Sequence, residues 1–314
     1  MSLTADAAST LRRVLATAVA VPVTPYQADG NPDWDTYGTL INRLIDNGIS
    51  VITPNGNTGE FYALSQPEAR QALETAAKAA GAGGEPGGEH SAEVLAGVGH
   101  DIATAIEAAR HAQDHGSRMI MIHQPVHPYV SAEGWIDYHA AIANAVPDLG
   151  IVLYIRDERR TGHQIAELVK RSPNVIGVKY GVRDATRFAA VARDAGLDRV
   201  TWLAGAAELT APAFWAVGAH GFTSGLANVS PALALGMLGA LRNNDFHEAM
   251  RTWEAVRRFE ELRLADGSAD NVSVVKEALA QLGLCRADVR PPSRPLPEDI
   301  KREISGILRS WVLA

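Results

Sequence analysis

The sequence predicts a (β/α)8 barrel with a C-terminal helical extension, and three observations carry that prediction. Eight short apolar runs fall between residues 14 and 228. Amphipathic stretches rich in Ala, Leu, Arg and Glu separate them. Most of the runs do not alternate polar and apolar residues, so each strand should be covered on both faces, as in a parallel sheet. Eight strands alternating with helices over about 215 residues fit a closed barrel. A doubly wound open sheet is the alternative, but the first βα turn, VTPYQADG, has no G-x-G-x-x-G phosphate loop.

Taken in order, VLATAVAVPVTP (14–25) is the first strand region, and PDWDTYGTLINRLIDNG follows it as a helical pattern. SVITPNGNTGE (50–60) leads into SQPEARQALETAAKAAG. The stretch GAGGEPGGEHSAE, residues 81–93, reads as a flexible surface loop before the third run, EVLAGVGH. DIATAIEAARHAQDHG then precedes RMIMIHQP, the fourth run. GIVLYIRD, VIGVKYG, VTWLAGAA and GFTSGLAN are the fifth to eighth, with GHQIAELVKRS between the fifth and sixth. Several helical patterns end in Gly, Asn or Ser, as helix stops do. After about residue 232 the pattern becomes helix after helix, from PALALGMLGALRNN through DFHEAMRTWEAVRRFEELRLA and NVSVVKEALAQLG to PEDIKREISGILRSWVLA. CRADVRPPSRPLPED is the Pro-rich connector before the last helix. The expected division is a barrel over 1–231 and an extension over 232–314.

The chain has 314 residues, 21% of them charged, and a net charge of -7. This acidic balance, without a basic run, argues against nucleic-acid or anionic-membrane partners. One cysteine, Cys285, excludes an intrachain disulfide framework and a cysteine-based metal cluster. The first 14 residues lack the long apolar core of a signal peptide, and no run reaches membrane-spanning length, so a cytoplasmic address is expected.

In such barrels the functional groups come from strand C-terminal ends and the loops after them. Thr24, Thr58, Glu60, His127, Tyr154, Arg160, Lys179, Glu208, Thr223, Ser224 and Asn228 stand there. Lys78, Lys170, Lys276 and Lys301 lie on helical patterns with polar neighbours, where a solvated ammonium is expected. Only Lys179 ends an apolar strand. Burial disfavours an ammonium and depresses its pKa, and a neutral lysine is a nucleophile for carbonyl carbon. The bland reading is a lysine that snorkels outward or pairs with Glu208 or Glu60. NGNTGE, residues 55–60, offers exposed amides and the Thr58 hydroxyl to a carboxylate, or else is an ordinary βα turn ending in a helix cap. Tyr154 either relays protons or packs with a satisfied hydroxyl. The arginines of RDERRTG could clamp an anion, although a solvated charge run is the commoner meaning. His111 and His115 have i, i+4 spacing but no third ligand nearby in sequence, and His123 and His127 have no carboxylate close by. No metal is therefore expected.

The second run with GNTGE, the fifth with Tyr154 and the sixth with GVK together resemble the dihydrodipicolinate synthase / N-acetylneuraminate lyase family of Schiff-base-forming (class I) aldolases. VPVTPYQADG, LAGVG, RTG and GFTSGLANVSP extend the resemblance over roughly residues 14 to 310. It implies a Schiff base between Lys179 and a 2-keto carbon, with Tyr154 as proton relay. It also implies a carboxylate-binding turn at Gly56, Asn57, Thr58 and Gly59, with Thr58 giving hydroxyl and amide contacts. Arg160 matches the arginine that meets the second substrate, and Gly205, Thr223 and His127 join the substrate-binding set. No cofactor is implied beyond the covalent imine, and a homotetramer built as a dimer of dimers is expected.

Departures from the family pattern bear on the substrate. Asn57 stands where synthases carry the first threonine of GTTGE. His127 occupies the position of the tyrosine donated across a dimer interface, with Tyr129 two residues on. YNVPSRTG becomes YIRDERRTG, and the acidic residues common after strand 7 become Ala206 and Ala207, with Glu208 next. The leading expectation is a lyase, aldolase or dehydratase acting on pyruvate or a small acidic 2-keto compound such as a keto-deoxy sugar acid. A 4-hydroxy-tetrahydrodipicolinate synthase with a modified relay, or a non-catalytic keto-acid-binding barrel, are the alternatives.

Overall fold

Eight parallel strands close on themselves in the computed structural model, in the sequential order β1 to β8. The structure describes residues 2–81 and 91–312. The strands are β1 Ala18–Ala20, β2 Val51–Ile52, β3 Glu93–Val98, β4 Met119–Ile122, β5 Gly150–Ile155, β6 Val175–Tyr180, β7 Thr201–Ala204 and β8 Gly221–Ser224. Each is buried along almost its whole length, which is why the runs carry few polar residues. The open-sheet alternative is thereby excluded. Most of the stretch read as a loop before the third run, residues 82–90, lies outside the described residues.

Seven helices alternate with these strands: α2 Trp34–Asp46, α3 Gln66–Ala80, α4 Ile102–Asp114, α5 Ala132–Ala145, α6 Gly162–Arg171, α7 Ala185–Ala195 and α8 Ala207–Ala216. Local chemistry starts several of them. Ser65 and Glu68 form a reciprocal capping box at α3, and Thr161 and Gln164 form another at α6. Their apolar faces join one cluster that wraps the outside of the barrel. After β8 come α9 Pro231–Arg242, α10 Phe246–Ser268, α11 Asn271–Gln281 and α12 Glu298–Val312. Helical backbone angles in α10 give way at Ala265, and Asp266 and Gly267 take positive φ of 46° and 65°. That break turns the chain across the C-terminal ends of the strands.

The helix α1, Ala5–Leu15, was not expected. The first strand was predicted from residue 14, whereas Val14 and Leu15 still belong to this helix and β1 starts at Ala18. Thr4 caps it by accepting a hydrogen bond from the Ala7 amide at 3.2 Å. Its buried face, Ala8, Leu11 and Leu15, joins Val19, Val51, Leu95, Met119, Val152, Ile176 and Leu203 in the barrel interior. The helix therefore seals the end of the barrel away from the site, and each fully buried leucine contributes about 1.5–3 kcal/mol.

Candidate active site

Lys179 lies one residue before the end of β6 and is 4% exposed. Its Cα partners are Tyr154 on β5 and Leu203 on β7. Its Nζ sits 4.2 Å from the centroid of the Tyr154 ring. Neither carboxylate proposed as its partner reaches it. Glu60 is bound by Lys276, and Glu208 accepts from the Ser224 hydroxyl. Burial, and then the charges of Arg156 and Arg263, pull the Lys179 pKa down to about 7 from 10.5. The snorkelling and ion-paired readings both fail on this geometry.

A cavity of about 680 Å³ opens over this lysine, lined among others by Asn57, Thr58, Tyr154, Gly205, Thr223 and Arg263. Tyr154 is 6% exposed, and its hydroxyl accepts from Asn57 Nδ2 at 3.5 Å. Burial raises its pKa, with Arg156 and Asn57 opposing. Gly56 and Gly59 do not line the cavity but let the turn dock on the loop after β1. A Cβ on Gly56 would stand 2.4 Å from Val21 Cγ1, and one on Gly59 would stand 2.9 Å from the Pro22 carbonyl oxygen. Thr24 fastens the same turn by donating to the Gly59 carbonyl at 2.8 Å. At Gly205 a Cβ would meet the Tyr180 carbonyl at 2.7 Å, so the residue keeps the end of β6 in place. Asn228 holds Val21 and Val23 and is a scaffold residue.

The structure corrects two sequence expectations, at Arg160 and Lys276, and places a third residue, His127, outside the cavity of its own chain. Arg160 is 3% exposed and turned away from the cavity, pairing with Asp157 at 3.0 Å and donating to the Ser131 carbonyl at 3.4 Å. Arg156, four residues earlier, lines the cavity instead. His127 is exposed and lines no part of the cavity; its Nδ1 accepts from the Tyr129 amide at 3.1 Å. Tyr129 is 86% exposed. Lys276 is wholly buried rather than solvated. It binds Glu60, donates to the Asp288 carbonyl at 2.9 Å and lies 3.9 Å over the Tyr26 ring. The reason is that α11 is buried from Val272 to Leu279, with no polar face toward solvent there.

Sequence reasoning also missed residues from the extension. Arg290 in the Pro-rich connector lines the cavity, pairs with Glu68 at 2.6 Å and donates its backbone N–H to Glu60 at 3.0 Å. Arg263 on α10 is 3% exposed, pairs with Glu260 at 2.5 Å and donates to Asn271 Oδ1 at 3.3 Å. Asn271 Oδ1 in turn lies 3.4 Å from Thr58 Oγ1, so a polar chain joins the turn to α10. Beneath it, burial and the charge of Glu260 push Glu208 up to about 8. Helix periodicity hid these side chains, because only the tertiary fold brings α10 over the strand ends. His111 and His115 do acquire a neighbour: Glu74 of α3 stands 3.1 Å from His111 Nε2. The three lie between α3 and α4, and none of them lines the cavity.

The family model described as dihydrodipicolinate synthetase matches residues 14–310. The chain is 30% identical over 291 residues to a 4-hydroxy-tetrahydrodipicolinate synthase of Phenylobacterium zucineum, covering 91% of this chain and 94% of the other. It is 31% identical over 301 residues to a probable 5-dehydro-4-deoxyglucarate dehydratase of Streptomyces coelicolor, covering 93% and 92%. A crystal structure of dihydrodipicolinate synthase from Bacillus clausii matches with a TM-score of 0.90 and 39% identity, covering 96% of this chain and 99% of that one.

Proposed function

Since this chain belongs to the dihydrodipicolinate synthetase family, we propose that it is a Schiff-base lyase whose nucleophile is Lys179 and whose substrate is a small acidic 2-keto compound. The observation that carries this reading is the Lys179 amine, buried without a carboxylate partner and facing Tyr154 across the cavity floor. A pKa of about 7 leaves a large fraction of the amine neutral at physiological pH. The neutral amine adds to the keto carbon, and loss of water gives the imine. Protonated, the imine withdraws electrons from the adjacent C3, so a C3 proton leaves and an enamine forms. The enamine can attack an aldehyde, making a carbon–carbon bond, or expel a C4 hydroxyl, which leaves as water once protonated. Tyr154 is the group placed to carry the proton in either direction.

The substrate carboxylate fits the turn at Asn57 and Thr58. The amides of Gly59 and Glu60 are taken by Gly56 and Asn57 carbonyls, at 2.9 and 3.0 Å. Those of Asn57 and Thr58 go to no backbone carbonyl among the described residues. Arg156 replaces Arg160 as the cation facing the rest of the substrate. Thr223 and Gly205 shape the opposite wall. No cofactor beyond the imine itself is required by this chemistry. A keto-deoxy sugar acid fits better than the aldehyde partner of the synthase, because Arg160, the position expected to meet that partner, does not reach the cavity. We also propose a homotetramer, in which the exposed loop carrying Val126 and Tyr129 is covered by a second copy. Among the described residues no helix is long and apolar enough to cross a membrane.

Incubation with pyruvate and borohydride tests the core of the reading. A reduced pyruvyl adduct on the Lys179 peptide is expected by mass spectrometry, and an unmodified Lys179 under saturating pyruvate overturns it.

A further inference from the structure

Helices α3 and α4 lie side by side and meet through rungs of polar side chains. Arg70 of α3 pairs with Glu107 of α4. One turn further along both helices, the Glu74 carboxylate stands 3.1 Å from His111 Nε2. His115 follows one turn later on α4, with its ring centroid 4.3 Å from that of His111. A ligand atom from each of Glu74, His111 and His115 lies within 4.8 Å of the other two. The two histidines have no third ligand near them in sequence; the fold supplies one from another helix.

The ordinary reading of His111 beside Glu74 is a hydrogen-bonded ion pair, and the geometry of the contact argues against it. His111 Nε2 has no hydrogen-bond partner among the described residues, although the carboxylate oxygen is so near. Around a tetrahedral zinc ion, neighbouring ligand atoms stand about 3.3 Å apart and aim at the metal rather than at each other. The Glu74–His111 spacing is close to that edge. His115 is already in a ligating form, since its Nδ1 lies 2.8 Å from the His111 carbonyl oxygen. A carbonyl only accepts, so Nδ1 carries the proton and the lone pair of the neutral ring is on Nε2. Metal-bound imidazoles commonly make such a backbone bond, which fixes tautomer and ring orientation. Two rings this close repel once both are protonated, whereas a shared cation draws both lone pairs.

We propose that Glu74, His111 and His115 form a three-ligand site for a divalent transition-metal cation of the zinc class, which staples α3 to α4. Rotation of the Glu74 and His115 side chains brings the three ligand atoms to bonding distance, about 2.0–2.2 Å from the ion, and water completes the coordination. Two imidazoles with one carboxylate suit zinc, nickel or copper, whereas magnesium and calcium take oxygen ligands. The side chains of Glu74 and His111 are 38% and 19% exposed, and His111 also lines a surface hollow of about 530 Å³. An ion from solvent meets the carboxylate first and exchanges its waters for the imidazoles behind it. None of the three residues lines the cavity over Lys179, so the site acts on the scaffold and stands apart from the imine chemistry.

The test is equilibrium dialysis of the full chain, first stripped with chelator, against zinc chloride with magnesium in large excess. Binding of one zinc ion per chain is expected. Glu74→Gln keeps the shape of the side chain but not its charge, and His115→Ala removes one imidazole. Each is expected to weaken zinc binding by at least about tenfold. Zinc is also expected to raise the melting temperature of the unmodified protein and to leave that of either variant nearly unchanged. Circular dichroism identifies a variant that has not folded, in which case the other one decides. Failure of the unmodified protein to hold zinc against magnesium overturns the proposal, as does zinc binding of unchanged strength in a folded variant. The pyruvate labelling of Lys179 reports on the imine reading alone, so either reading can fall without the other.

Discussion

Two lysines of this chain are buried, and burial pulls both pKa values down, but their partners differ. Lys276 lies against Glu60 and stays a partner in an ion pair. Lys179 has no such partner, and burial holds it at about 7. Labelling of Lys179 by pyruvate and borohydride should therefore rise as pH climbs through about 7 and level off above it. A rate that keeps climbing toward the ordinary lysine value would contradict this. The sequence disclosed Lys179 because it ends an apolar strand, where any charged residue is conspicuous. It could not disclose Lys276, since the helical pattern around it is ordinary and its partner is 216 residues away. Arg156 and Arg160 show the same limit. Both stand in one loop rich in arginine, and only backbone geometry decides which faces the cavity.

At the scale of elements, the turn after β2 is held from the far end of the chain. Glu60 sits in left-handed backbone with φ of 59° and receives both Lys276 of α11 and the Arg290 amide of the connector. Lys276→Ala leaves that carboxylate buried and unpaired, and should cost roughly 3–5 kcal/mol in urea unfolding. The same variant should raise KM for the keto acid more than it lowers kcat, because the turn positions the carboxylate end of the substrate. Replacing both partners, as Glu60→Gln with Lys276→Met, should recover part of the stability.

The pair of α8 and α10 carries a second buried carboxyl. Glu208 is held at about 8, above its unfolded value of 4.5. The folded protein thus binds more protons than the unfolded one between those values, and stability should fall as pH rises from 4.5 toward 8. Glu208→Gln should flatten that decline in melting curves taken across the window. The alternation of strands and helices was readable because each strand is covered on both faces. α1 was not, since its last residues, Val14 and Leu15, run without a break into the apolar residues of β1.

For the whole molecule, the most exposed large apolar side chains among the described residues stand in the loop after β4, where Val126 is 59% exposed and Tyr129 86%. Sedimentation should find a tetramer, and Tyr129→Glu should shift it toward smaller species; a monomer in the unmodified protein would remove the proposed assembly. The barrel as a whole was legible from the count of apolar runs, whereas the cavity was not, because its roof comes from α10, α11 and the connector after them. One feature of the barrel also bears on how such an enzyme could be remade. Lys179 and Tyr154 are register partners on adjacent strands, so hydrogen bonding of the sheet sets their separation, about 4.8 Å between strands. Asn57 and Arg156 stand in the connections beyond the strand ends. Drift or a mutant library confined to those connections would sample new substrates while the reacting pair stayed in place. Retargeting and inactivation are thus largely separable events in this chain, and a loss of chemistry should trace to the strands.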